Sequence, residues 1–151
     1  MKIYSGNFEV EYKDDKSPLT QADKNANELI NEHLVSTGIP VISEESKELP
    51  FALRRHWQTC WIVDPLDGTK EFVKRNGEFT VNIALVEQGK PKLGVIYVPV
   101  EKLLYYGLVD QGKSFKTIVD PLNPNLEEII NTASEIQPSN TAKGKIRVVG
   151  S

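Results

Sequence analysis

Apolar positions along the chain change period several times, and each change marks an element. Phe8, Val10 and Tyr12 alternate with Glu9 and Glu11, which predicts a half-exposed strand over residues 8–12 and a polar loop at Lys13-Asp14-Asp15-Lys16. Ahead of it, Lys2-Ile3-Tyr4 has neither a cap nor a full periodic segment, as though a helix had lost its front. From residue 21 the period becomes helical. Ala22, Ala26, Leu29, Ile30 and Leu34 predict a helix over residues 21–36 with those five side chains as its buried stripe. Thr20-Gln21-Ala22-Asp23 supplies a capping box at its start, and Gly38 with Pro40 stops it.

Strands follow. Val41-Ile42 predicts a short buried strand leading into Ser43-Glu44-Glu45-Ser46, and residues 60–63 predict a second that runs into a turn at Asp64. Residues 79–86 give a third: Phe79, Val81, Ile83 and Leu85 share one face, while Thr80, Asn82 and Ala84 are small enough for a packed opposite face. Gln88-Gly89-Lys90-Pro91, Pro99-Val100-Glu101-Lys102 and Gln111-Gly112-Lys113 read as tight turns around strands at 93–98 and 103–109. Connections this short require antiparallel neighbours, because parallel strands need long crossovers. The expected class is α+β: an antiparallel sheet built from Phe79 onward, with helices packed on it and the helix of residues 21–36 among them. Leu126, Ile129 and Ile130 predict a short helix over residues 125–133, then a polar loop at 137–144 and a strand at 146–149.

Composition narrows the class without naming a chemistry. The 151 residues, 39% hydrophobic and 26% charged, fit one folded domain with a real core. A formal charge of −3 gives no electrostatic case for a nucleic-acid polymer or a membrane surface, and suits a protein that gathers carboxylates around cations. The single cysteine, Cys60, precedes an apolar run and reads as a buried reduced thiol, which excludes an intrachain disulfide and fits the cytoplasm. No apolar run approaches the roughly 20 residues of a membrane span, and the N-terminus has no signal-peptide pattern.

The chemistry concentrates at Trp61-Ile62-Val63-Asp64-Pro65-Leu66-Asp67-Gly68-Thr69. An apolar strand stops at two carboxylates, Asp64 and Asp67, with the Leu66 carbonyl between them. Hard cations such as Mg²⁺ take oxygen ligands of this kind and leave room for phosphate oxygens. Pro65 and Gly68 shape the turn, and the Gly68 and Thr69 amides open the next segment, where free N–H groups favour an anion. Taken alone, the pentapeptide also fits a plain tight turn. Glu44 and Glu45 end the other short strand, so parallel neighbours would bring four carboxylates to one sheet edge, an arrangement that cations stabilise. Standing alone, Glu44-Glu45 also fits a solvated acidic pair, and Asp23 fits a helix cap. Lys70, Lys74 and Arg75 could meet phosphate or simply be solvated, while His33 and His56 read as structural or surface residues.

With these residues in place, the chain resembles the inositol monophosphatase superfamily of metal-dependent, lithium-sensitive phosphatases. The resemblance rests on Thr20-Gln21-Ala22-Asp23, Ser43-Glu44-Glu45-Ser46 and Asp64-Pro65-Leu66-Asp67-Gly68-Thr69, in that order. Ser17-Pro18-Leu19-Thr20 and the run from Thr69 to Leu85 are most similar to the bacterial 3'(2'),5'-bisphosphate nucleotidases, which turn 3'-phosphoadenosine 5'-phosphate into AMP and phosphate. The segment from Thr117 to Thr141 falls outside the likeness. The resemblance implies that Glu44, Asp64, the Leu66 carbonyl and Asp67 hold Mg²⁺, and that Asp23 with Thr69 orients the attacking water. It further implies that the Gly68 and Thr69 amides cradle the scissile phosphate and that Glu45 helps hold a weaker ion. Family members continue for roughly a hundred further residues into a second domain. That part carries a Trp-Asp-x-Ala motif, and neither Trp57 nor Trp61 precedes an Asp. The expectation is therefore a metal-binding N-terminal domain over residues 1–151, nearly inactive alone and prone to self-association. The partner would be a small nucleotide. The alternatives are inositol monophosphate as substrate, and a non-catalytic module that merely holds a cation.

Overall fold

The computed structural model describes residues 2–6, 9–12, 18–47 and 49–138. A short helix α1 (Lys2–Ser5) precedes a two-stranded antiparallel ribbon, β1 (Val10–Tyr12) and β2 (Pro18–Thr20). Helix α2 (Gln21–Val35) leads to β3 (Val41–Ser43), α3 (Phe51–Arg54), β4 (Thr59–Asp67) and α4 (Thr69–Lys74). Strands β5 (Thr80–Glu87), β6 (Lys90–Val98), β7 (Leu103–Leu108) and β8 (Lys113–Ile118) form the meander, and α5 (Leu126–Thr132) precedes β9 (Ser134–Ile136). One sheet runs β3-β4-β5-β6-β7-β8-β9, antiparallel throughout except for the parallel pair β3–β4. The α+β expectation holds. The sheet begins two strands earlier than Phe79, and β2, α3, α4 and β9 were not foreseen. The predicted loop at 13–16 and strand at 146–149 lie outside the described residues, as does Phe8 of the first predicted strand.

Local chemistry accounts for the boundaries. Thr20 sits extended at the N-cap of α2, accepts from the Ala22 amide and forms a capping box with Asp23. The helix ends with Thr37 and Gly38 amides donating to the Leu34 and Val35 carbonyls, and Gly38 takes φ +69°. Gln88 and Gly89 both have positive φ, as a two-residue hairpin turn between β5 and β6 requires, with Glu87 paired to Lys90.

Helix α2 packs chiefly on β4, β3 and β2, and its buried face departs from the predicted stripe at Leu29. Leu29 is 57% exposed, and Ala22, Ala26, Ile30 and Leu34 are only half-buried, whereas Asp23 is 0% exposed. At 3.6 residues per turn Leu29 lies about 120° round the helix from Asp23. The inner face is turned toward Asp23, Asn27, Ile30 and Leu34 because two of these make polar contacts there. Asp23 meets Thr69, and Asn27 accepts from the Ser43 hydroxyl at 2.6 Å. Of the five predicted stripe residues only Leu29 points away to solvent.

The tightest apolar packing lies directly under the turn that follows β4. Leu66, Phe72 and Phe79 are buried together, with Ile3, Tyr4 and Ala22 against them. The rings of Tyr4, Phe72 and Phe79 stand 5.0–5.1 Å apart in tilted and edge-on pairs. Cys60 is half-buried rather than buried, and burial pushes its thiol up. Raising a thiol pKa lowers its thiolate fraction at neutral pH. Cys60 is therefore expected to react with a disulfide reagent at pH 8 more slowly than free cysteine, and at the free rate once urea unfolds the chain. Equal rates in both states would show that the surroundings of Cys60 do not protect it. Among the described residues no helix is long and apolar enough to cross a membrane.

Candidate metal and phosphate site

Asp64 and Asp67 are three residues apart, so an unbroken strand would send them to opposite faces of the sheet. The structure avoids this with a bulge. Asp64 pairs with Asn82 and Asp67 with Thr80, so three steps along β4 face two along β5. The extra residue brings both aspartates to the side carrying Thr80 and Asn82, and the Asn82 amide donates to Asp67 Oδ2 at 3.0 Å. Pro65 and Leu66 turn the other way and are buried. Leu66 thereby anchors the turn in the aromatic core while leaving its carbonyl at the bend.

Glu44 reaches the same side from β3. Ile42 and Ser43 pair in parallel with Ile62 and Val63, and the Glu44 amide then donates to the Val63 carbonyl at 3.0 Å. Ser43 is held toward α2 by Asn27, so the next residue returns to the opposite face. Glu44, Asp64 and Asp67 line one groove of about 730 Å³, together with Thr80, Asn82 and an apolar floor. In that floor Ile62 and Ile96 are 45% and 46% exposed. Glu45 is half-buried one residue further on.

Asp23 and Thr69 meet although 46 residues separate them: the Thr69 hydroxyl lies 3.0 Å from Asp23 Oδ1. Asp23 divides its two oxygens between two tasks. Oδ2 accepts from the Thr20 amide at 2.8 Å and the Thr20 hydroxyl at 2.5 Å, closing the helix cap, while Oδ1 faces Thr69. The helix cap and the contact with Thr69 therefore use different oxygens of Asp23. Thr69 Oγ1 also lies 3.2 Å from the Leu66 carbonyl. A hydroxyl carries one proton, and the carboxylate is the stronger acceptor, which leaves the Thr69 lone pairs to accept from another donor.

Gly68 begins α4 with φ +93°, and its carbonyl accepts from the Glu71 and Phe72 amides at 2.9 Å each. Beyond it Lys74 and Arg75 engage neighbouring protein groups. Lys74 pairs with Glu71 at 3.0 Å, and Lys74 together with Asn76 holds the Glu71 carboxyl below its usual range. Arg75 reaches the Gly6 carbonyl, and Lys70 is exposed. His33 and His56 are exposed, the surface alternative of the two expected for them.

The donor set fits a hard divalent cation in kind: three carboxylates and one carbonyl, with no nitrogen or sulfur. Glu44, Glu45 and Asp64 also engage other groups, and among the described residues no three acidic, histidine or cysteine side chains form a ready metal-holding cluster. Sequence reasoning treated Thr80 and Asn82 only as small packing residues. Their place in the groove wall follows from strand alternation once the bulge is known.

Comparison with known proteins gives a consistent result. The model of the inositol monophosphatase family matches residues 1–145. A Salmonella typhimurium protein named 3'(2'),5'-bisphosphate nucleotidase CysQ is 55% identical over 120 residues, covering 77% of this chain and 48% of the relative. The crystal structure of CysQ from Bacteroides thetaiotaomicron superposes with a TM-score of 0.75 at 44% identity, over 92% of this chain and 52% of that one. An IMPase/NADP phosphatase complexed with Mg²⁺ and phosphate gives a TM-score of 0.64 at 26% identity, over 73% of this chain and 42% of that one. The chain spans about half the length of the curated relatives it matches.

Proposed function

This chain belongs to the inositol monophosphatase family, and on that premise we propose that it forms the cation-holding wall of a cytoplasmic phosphatase site. That site removes the 3'-phosphate of 3'-phosphoadenosine 5'-phosphate, giving AMP and phosphate. The observation that carries this reading is the β4 bulge, which turns Asp64 and Asp67 into the groove that Glu44 also lines. Glu44, Asp64, the Leu66 carbonyl and Asp67 would hold Mg²⁺, with Glu45 supporting a weaker ion. When bound, the ion supplies charge stabilisation at the phosphoryl oxygens and a more acidic water. The chain's own residues supply position. Asp23, fixed by Thr20, holds the Thr69 hydroxyl so that its lone pairs can orient the attacking water. The Gly68 and Thr69 amides would face the scissile phosphate.

Two measurements test this. Calorimetric titration of the chain with Mg²⁺ should show binding that weakens about tenfold or more in Asp64→Asn and stays unchanged in His56→Ala, since losing one carboxylate ligand removes a direct charge contact. Equal affinity in Asp64→Asn would remove Asp64 from the site. Phosphate release should then be compared between this chain and a chimera joined after Ser151 to the C-terminal half of the Salmonella relative. The chimera should prefer 3'-phosphoadenosine 5'-phosphate over inositol 1-phosphate, with the chain alone slower by about 100-fold or more because substrate positioning is incomplete. Preference for inositol 1-phosphate would reassign the substrate, and Mg²⁺ binding without turnover by the chimera would leave a cation-binding module.

A further inference from the structure

The bulge that gathers Asp64 and Asp67 on one side also sets like charges near one another, and one neutral side chain links the two positions. Asn82 is the cross-strand partner of Asp64, yet its amide nitrogen donates to Asp67 Oδ2 at 3.0 Å. The Asn82 carbonyl oxygen lies 3.2 Å from the hydroxyl of Thr80, two residues back on the same face of β5. The direction of this chain of bonds follows from its last member. A carboxylate only accepts, so the Asn82 NH₂ must face Asp67, its carbonyl must face Thr80, and the Thr80 hydroxyl must donate. Thr80 thus locks the amide, and the amide locks one oxygen of Asp67. Asp67, Thr80 and Asn82 line the groove together with Glu44 and Asp64. With Oδ2 engaged by an N–H donor, Oδ1 is the oxygen that remains for a cation.

We propose that Asn82, held by Thr80, is a positioning residue that makes Asp67 a one-oxygen ligand and so favours Mg²⁺ over Ca²⁺ in the groove. This inference rests on the phosphatase reading above, which gives Asp67 to the cation. The two ions differ in what they ask of a carboxylate. Mg²⁺ is small and demands near-ideal octahedral geometry, which a single fixed oxygen serves. Ca²⁺ takes more oxygens in flexible geometry and accepts a carboxylate through both of them. A donor already on Oδ2 competes with the two-oxygen mode and steadies the one-oxygen mode. Hydrogen-bond partners behind a ligand commonly govern metal affinity by roughly 10- to 100-fold. Removing the Asn82 amide therefore costs Mg²⁺ affinity and spares Ca²⁺.

NMR titrations of this chain with Mg²⁺ and with Ca²⁺ test the proposal through binding, without turnover. Asn82→Ala should weaken Mg²⁺ roughly 10-fold or more, while Ca²⁺ affinity changes by less than about 2-fold or rises. Thr80→Val, which frees the amide to turn, should weaken Mg²⁺ by roughly 2- to 10-fold, the worth of one neutral hydrogen bond. In an Asp67→Asn background, Asn82→Ala should alter Mg²⁺ affinity by less than about 2-fold, because the ligand through which Asn82 acts is gone. A merely structural role would weaken both ions alike and in both backgrounds. Unchanged Mg²⁺ affinity in Asn82→Ala, equal losses for the two ions, or an equal Mg²⁺ loss in the Asp67→Asn background would each overturn this inference and leave the cation site standing. An unsubstituted chain that binds neither ion overturns the cation site, and this inference with it.

Discussion

Replacing Asp23 with asparagine is expected to destabilise the chain by roughly 2–4 kcal/mol, at about 1–3 kcal/mol for each buried donor left without an acceptor. Asp23 is 0% exposed and accepts from the Thr20 amide, the Thr20 hydroxyl and Thr69. An asparagine keeps one oxygen and sets an NH₂ group against either the Thr20 pair or the Thr69 hydroxyl. If the amide turns toward Thr20, two donors face two more and the capping box opens. If it turns toward Thr69, that hydroxyl must reverse, and its lone pairs no longer serve a water. In the chimera with the Salmonella C-terminal half, phosphate release should fall by about 100-fold or more, the usual scale for a group that positions a proton transfer. Urea unfolding of the chain and steady-state turnover of the chimera read the two effects separately. Wild-type turnover in a destabilised Asp23→Asn chimera would confine Asp23 to capping α2.

A second large effect is expected at Gly68. Its φ is +93°, and a Cβ there would stand 2.9 Å from the Glu78 carbonyl oxygen and 3.3 Å from the Phe79 Cα. Both neighbours are backbone and cannot swing aside, and Phe79 is 4% exposed in the aromatic core. Left-handed strain and overpacking therefore act together in Gly68→Ala, for roughly 2–5 kcal/mol. Native stability is only about 5–15 kcal/mol, so a sizeable unfolded population should appear at physiological temperature. Gly89 provides the control, with φ +73° but nothing within 4 Å of its added Cβ. Gly89→Ala should cost only the conformational strain, about 1–2 kcal/mol. Urea midpoints decide the matter: equal shifts at both positions would mean that the close approach over Gly68 does not exist.

The stretches of sequence that could be read correctly are those whose signal is local. Hairpin turns such as Gln88-Gly89 need φ angles that few residues adopt, and the Thr20-to-Asp23 box satisfies helix amides within one turn, so both announce themselves in four letters. The acidic strand ends were legible for the same reason: carboxylates placed straight after apolar runs have few uses. Leu29 shows where local reading fails. Periodicity counts it with Ala22 and Ala26, yet the inner face of α2 follows Asp23 and Asn27, whose partners Thr69 and Ser43 are distant in the chain. A buried polar contact outranked a hydrophobic stripe, and no window of sequence contains both partners.

By itself the sequence determined which atoms are available: the carboxylates of Glu44, Asp64 and Asp67, the hydroxyl of Thr69, and the glycine that alone fits at position 68. Only the tertiary structure decided that the three carboxylates line one groove. Strand alternation would have parted Asp64 from Asp67, and pairing with β5 inserted the extra residue that reunites them. Parallel pairing of β3 with β4 brought Glu44 alongside, and α2 carried Asp23 to Thr69. Each of these placements depends on the register between distant segments, and register is set by the burial of whole faces rather than by the residues that face the groove.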